Sequence, residues 1–150
     1  LMALGEKTKG IAQKINNLVF VGERTGIGAG IIINRKLYKG ANNAAGEAGY
    51  LLIDPRYAPK NSRDYGCLEK LASYKIIVEK TKEKTGKNLS LIHISILPPE
   101  FLEEIKKNIR GIIPFVPKME FSKLGEDGVL IGAAVKVLEP LKRRGLIVVK

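Results

Sequence analysis

The apolar positions of this chain fall into short runs closed by glycine, and that punctuation sets the order of elements. Residues 17–22, Asn-Leu-Val-Phe-Val-Gly, predict a buried strand. Residues 29–34, Ala-Gly-Ile-Ile-Ile-Asn, predict a second. Asn34-Arg35-Lys36 then turns into a third strand that starts at Leu37-Tyr38. Segments 17–22, 28–34 and 36–39 therefore read as an antiparallel meander. Residues 3–14, broken only by Gly10, read as a helix in front of it. Behind it come a short strand at 50–53, a polar loop at 55–66, and helices at 67–73 and 74–85. Pro98-Pro99-Glu100 opens a further helix, with Phe101, Leu102, Ile105 and Ile109 on one face and Gly111 at its end. Residues 112–121 are extended, with Pro114 and Pro117 marking an edge or irregular strand. A last helix, capped by Asp127, spans 128–139 and stops at Pro140. The tail 145–150 is strand-like. The pattern is α/β: a small meander with flanking helices.

With 150 residues, the chain is long enough for one ordinary domain or two small lobes. It contains no apolar run long enough to span a membrane. The first residues are too quickly polar for a signal peptide, and the lack of a leading Met suggests a piece of a longer product. One cysteine, Cys67, excludes an internal disulfide, and one histidine, His93, excludes a His cluster. A cytoplasmic setting fits. The formal charge of +11 favours anions. However, residues 1–75 hold 12 basic and 6 acidic groups and residues 76–150 hold 14 and 9, so there is no basic arm. Aromatic residues are too few to interleave with them as a stacking platform, so nucleic acid is not an expected partner of this stretch.

The chemistry concentrates between and after the first strands. Thr25-Gly26-Ile27-Gly28-Ala29-Gly30 sits between two predicted strands, and glycines at spacing two allow phosphate oxygens close to the backbone. No helix follows, so this is not a dinucleotide fingerprint, and a plain tight hairpin is the alternative reading. Gly40 to Tyr50 is rich in Gly and Ala, and Gly66-Cys67-Leu68-Glu69 opens a helix. Glu47 and Glu69 thus lie beside small residues that leave space, a setting that suits paired acceptance of sugar hydroxyls. Ordinary exposed or capping roles are the alternative for either.

The order and spacing of several segments resemble the ROK (repressor, open reading frame, kinase) family of sugar kinases and sugar-responsive repressors. The segments are Thr25 to Gly30, Leu37 to Gly40, Ala45-Gly46-Glu47-Ala48-Gly49, Gly66 to Ser73, and Gly128 to Ala134. The resemblance implies an actin/hexokinase-like (ribonuclease H-like) fold, with residues 1–150 as a single C-terminal lobe. It implies that Thr25, Gly26, Gly28 and Gly30 face nucleotide phosphates, and that Glu47, Tyr50 and Glu69 contact the sugar. ATP and Mg²⁺ would serve a complete kinase acting on a hexose or N-acetylhexosamine. A homodimer is a candidate assembly.

The departures from the family pattern shape the expectation. The family's catalytic Asp precedes the stretch matching residues 2–6, so no catalytic residue is assigned here. The first lobe is absent as well, and the chain alone is expected to be inactive. The family's zinc-binding His and two of its Cys are replaced by Tyr50, Lys60 and Ser62, leaving Cys67, so no zinc is expected. His93 reads as a structural residue at a helix end. The family has more residues between 73 and 98, which implies either a deletion in the gene or omitted segments. Three readings stand: part of a sugar kinase, the non-catalytic sugar-sensing domain of a repressor, or an inert fragment that only dimerises.

Overall fold

The computed structural model describes residues 1–23, 26–61, 64, 66–86 and 100–144. Thr25, Ser62, His93, Pro98-Pro99 and the tail 145–150 lie outside them. The element order is α1 (Met2–Thr8), β1 (Leu18–Glu23), β2 (Ile27–Ile33), β3 (Lys36–Tyr38), 3₁₀ turns at Ala48–Tyr50 and Pro55–Tyr57, α2 (Cys67–Ala72), α3 (Tyr74–Thr85), α4 (Glu100–Ile109) and α5 (Asp127–Arg143). The chain divides into two compact units, residues 1–77 with 122–150, and residues 78–121.

The expected meander is present. β1, β2 and β3 form one antiparallel sheet in that order, registered Leu18↔Ile32 through Glu23↔Ile27 and Ile31↔Tyr38 through Ile33↔Lys36. β2 begins earlier than its apolar run, because the ladder with β1 carries the glycine-rich stretch into the sheet. Asn34 and Arg35 both take positive φ, 48° and 67°, the two-residue turn whose twist matches a hairpin. The Asn34 N–H donates to Asn17 Oδ1 at 2.9 Å, and the Arg35 N–H donates to Asn16 O at 2.8 Å, which ties the turn to the base of β1.

One sheet face carries α1. Phe20, Gly22, Gly28 and Gly30 share that face by alternation, and a Cβ on Gly30 would strike the Ala3 side chain. α5 packs on α1 through glycine as well. A Cβ on Gly5 would collide with the Gly128 carbonyl oxygen, and one on Gly132 with the Leu1 carbonyl oxygen. Gly5 costs α1 about 1 kcal/mol of helix propensity, and in return the two backbones touch.

Glu6 fixes the end of this pair. It is buried, and its carboxylate accepts from the Ile11 N–H at 2.9 Å, from the Leu124 N–H at 3.3 Å and from the Ser122 hydroxyl. The helix expected over 3–14 therefore ends at Thr8: the chain turns at Gly10, where a Cβ would hit that carboxylate, and folds back over it. The Lys7 ammonium satisfies the returning carbonyls of Ala12 and Gln13 at 3.2 and 2.7 Å. Burial, with Arg35 nearby, lowers its pKa from the ordinary lysine range.

Other expectations change. Residues 50–53 are not a strand: Ala48–Tyr50 is a 3₁₀ turn, and Leu51, Leu52 and Ile53 are exposed without a ladder partner. Pro140 does not stop the last helix, which runs to Arg143. A proline there forfeits one backbone bond near an exposed end. Asp127 begins that helix without a capping bond, and Glu126 occupies the cap position. The helices expected at 67–73 and 74–85 are present as α2 and α3, separated at Ser73, which is extended.

The second unit holds the rest of α3 and α4. Leu102, Ile105 and Ile109 are half-buried along one side of α4, as their spacing predicts, while Phe101 is exposed. Residues 112–121 contain no strand; one isolated bridge joins Arg110 and Ile113. Among the described residues no helix is long and apolar enough to cross a membrane.

Removing the Glu6 carboxylate takes the acceptor from two part-buried backbone N–H groups and from the Ser122 hydroxyl, at about 1–3 kcal/mol for each group left unsatisfied. Glu6→Ala is expected to lose about 3 kcal/mol in urea unfolding at neutral pH, and Ser122→Ala about 1 kcal/mol. A loss for Glu6→Ala below about 1 kcal/mol would contradict this role.

Candidate functional site

The site is built outward from the edge of β2. β3 pairs with β2 only from Ile31 to Ile33, so the edge beside Ala29 is open to another segment. Gly46 fills it: its carbonyl accepts from the Ala29 N–H at 2.6 Å. Gly46 has φ 94°, and a Cβ there would run into the Ala29 carbonyl. Two layers follow. A Cβ on Gly49, which is buried, would stand 2.8 Å from the Ile27 oxygen, and one on Gly66 would collide with the Gly49 carbonyl. Glycines at 46, 49 and 66 thus stack three backbone segments at distances no side chain permits.

This stacking delivers Glu69. It lies on the first turn of α2, opened by Gly66, and its carboxylate rests against Gly26 and Gly49. A Cβ on Gly49 would come within 2.9 Å of its Oε2, and one on Gly26 would collide with its Oε1. Glu47 is exposed and caps the N-terminal end of the 3₁₀ turn, and Tyr50 closes that turn with 54% of its surface exposed. Gly26, Gly49 and Glu69 are brought into one contact set. Glu47 and Tyr50 join them through the chain on either side of Gly49.

The other flank of the glycine stretch is open. Nothing stands within 4 Å of where a Gly28 Cβ would be. A pocket of about 260 Å³ lies there, lined by Phe20, Gly22, Gly26, Gly28, Gly30 and the start of α1. Gly26 thus borders both the Glu69 carboxylate and this pocket, and no carboxylate among the described residues lines the pocket.

Cys67 is fully buried. Its thiol donates to the Asp54 carbonyl at 3.3 Å and accepts the Asp54 N–H at 3.4 Å, so it clips the loop before α2. Asp54 in turn accepts from the Arg56 side chain and backbone, which lowers its pKa from the usual carboxylate value. Lys60 donates its N–H to Asp64 Oδ2 at 2.8 Å. Among the described residues no cluster of three His, Cys, Asp or Glu groups is placed to hold a metal.

Glu23, the last residue of β1, is a covered carboxylate that sequence reasoning passed over. By alternation it shares the face opposite α1 with Val19 and Val21, both exposed, so the pattern gave no signal that it is covered. Burial raises its pKa, an effect partly offset by the bond it accepts from the Tyr74 N–H at the start of α3. Its Oε1 is covered and has no hydrogen-bond partner among the described residues.

The comparisons with known proteins agree on one family. Residues 1–135 match the model of the ROK family. A xylose repressor of Caldicellulosiruptor bescii is 30% identical over 145 residues, covering 92% of this chain and 35% of the repressor. A glucokinase of Halalkalibacterium halodurans is 39% identical over 74 residues, covering 49% of this chain and 22% of the kinase. The crystal structure of a ROK family transcriptional regulator, a homologue of the E. coli MLC protein, superposes with a TM-score of 0.47 at 26% identity, covering 91% of this chain and 33% of that one. The chain thus spans 35% and 22% of the length of these curated relatives.

A carboxyl whose folded pKa is raised above its unfolded value favours the folded state while protonated. That contribution is lost as pH rises through the folded pKa. Glu23→Gln keeps an acceptor for the Tyr74 N–H and removes the charge, so it is expected to raise the melting temperature at pH 7–8, with the gain vanishing toward pH 4. A gain that is the same at both ends of a pH series of thermal melts would contradict the burial of this charge.

Proposed function

The chain belongs to the ROK family, and on that footing we propose that it is the C-terminal, sugar-facing part of a ROK-type sugar kinase with an actin/hexokinase-like fold. Glu69 is the carboxylate that holds the sugar, with Glu47 and Tyr50 at the rim. Gly26, Gly28 and Gly30 face the phosphates of ATP, with Thr25 beside them. The observation that carries this reading is the placement of Glu69 against Gly26 and Gly49, with open space two residues on at Gly28. A sugar on one side and a phosphoryl donor on the other is the arrangement that transfer to a hydroxyl requires.

The residues present fit a nucleotide's phosphates: nothing lies within 4 Å of where a Gly28 Cβ would be, and no carboxylate among the described residues lines the pocket there. When bound, ATP would supply the phosphoryl group and Mg²⁺ would neutralise its developing charge. The chain's own contribution is to orient. A carboxylate accepts two hydroxyls in one plane, and the glycine contacts hold Glu69 where it cannot swing away.

A second reading, a non-catalytic sugar-sensing domain of a repressor, is favoured by one observation. The likeness to the xylose repressor runs over nearly the whole chain, whereas that to the glucokinase covers a smaller share. Glu69 serves the sugar in both readings. Sugar-dependent release of ADP by the protein that carries this chain supports the kinase, and sugar binding without turnover supports the sensor.

The test common to both is Glu69→Gln. With xylose, glucose and N-acetylmannosamine as ligands in calorimetric titrations, it is expected to weaken binding about 10–100-fold, the loss of charge-assisted bonds to hydroxyls. An unchanged affinity in a folded variant would remove Glu69 from the sugar site.

A further inference from the structure

A second pocket, of about 250 Å³, continues along β2 from the first and shares Ala29 and Gly30 with it. Its polar lining is Tyr38, Lys39, Asn43 and Lys136, and no acidic residue lines it. The two lysines arrive from separate elements. Lys39 directly follows β3, where its carbonyl accepts the Ala45 N–H at 3.0 Å. Lys136 lies on α5, which packs on α1 through Gly5 and Gly128. Asn43 is held at φ 58° in the loop between them.

Neither lysine has a carboxylate partner among the described residues. The acid that follows Lys136 on α5, Glu139, is committed to Arg143. Two lysines at one small pocket raise a positive potential there that an anion offsets. A carboxamide beside them adds N–H donors to an acceptor-rich ligand.

We propose that Lys39, Asn43 and Lys136 form an anion site that takes a phosphomonoester. The volume suits a phosphate ion or a hexose phosphate. The site lies apart from Glu69 and does not depend on the sugar reading: it concerns a charged ligand, recognised by cations, whereas Glu69 would recognise a neutral one.

The experiment is calorimetric titration of the 150-residue chain with inorganic phosphate and, separately, with glucose 6-phosphate, at near-physiological ionic strength. The unmodified chain is expected to bind at least one of them. The double variant Lys39→Ala/Lys136→Ala is expected to weaken that binding by about tenfold or more, since charge-assisted bonds to phosphate are among the stronger ones. Lys39→Arg/Lys136→Arg keeps the charge and is expected to retain binding. Lys9→Ala/Lys14→Ala removes the same charge from exposed positions elsewhere and is expected to change affinity by less than about twofold. Both lysines of the site are exposed, so circular dichroism of the variants should match that of the parent. Tighter binding of glucose 6-phosphate than of phosphate supports a sugar phosphate as ligand, and equal binding supports the free ion. No binding of either probe to the unmodified chain overturns the proposal, and so do equal losses in the two alanine pairs, which would show only diffuse surface charge.

Discussion

The first unit depends on backbone meeting backbone. The bond from the Ala29 N–H to the Gly46 carbonyl takes the place of a ladder rung where β3 has already ended. Once that rung is made, Gly49 comes against the Ile27 carbonyl and Gly66 against the Gly49 carbonyl. Each step needs a residue without Cβ, because a methyl group would force the segments apart. The same device joins α1 to α5 at Gly5 and Gly128 and α1 to β2 at Gly30. Close approach is costly in helix propensity and chain entropy, and what it delivers is a carboxylate, Glu69, set against Gly26 and Gly49.

That arrangement gives the site its chemistry. Glu69 rests on Gly26 and Gly49, and Glu23 ends β1 with one oxygen covered. The pocket at Gly28 is lined by glycine and by apolar residues of α1 and β1. Carboxylate oxygens are acceptors for the hydroxyls of a neutral polyol, whereas uncovered glycine backbone admits close approach of a ligand. On the proposed reading a kinase would use both features and a sensor only the first.

Much of this frame was legible in the sequence. The runs at 17–22 and 29–34 separated by glycines became β1 and β2, and Asn34-Arg35 became the turn to β3, because apolar alternation and turn residues are local signals. Glu69 was legible as a carboxylate beside small residues. What was not legible depends on distant partners. The helix begun near Ala3 ends at Thr8 because Glu6 is bonded by Ser122 and Leu124 from the far end of the chain. Residues 50–53 have the composition of a strand but no sheet edge to join. Pro140 reads as a stop, yet near the open end of α5 its missing N–H is a small loss. Glu23 was hidden because a single carboxylate at a strand end gives no sequence signal of burial. Lys39 and Lys136 were hidden because only the packing of α5 on α1 brings α5 to the end of β3.

The central claim is that glycine-mediated contacts make Gly26, Gly49, Gly66 and Glu69 one sugar-facing unit. The most direct measurement is a sugar titration of the isotopically labelled chain followed by amide chemical shifts. The account predicts that the amides of Gly26, Gly49, Gly66 and Glu69 move together with a single saturation curve, while those of α4 stay fixed. A bound sugar that moves other amides and leaves these four unchanged would contradict it.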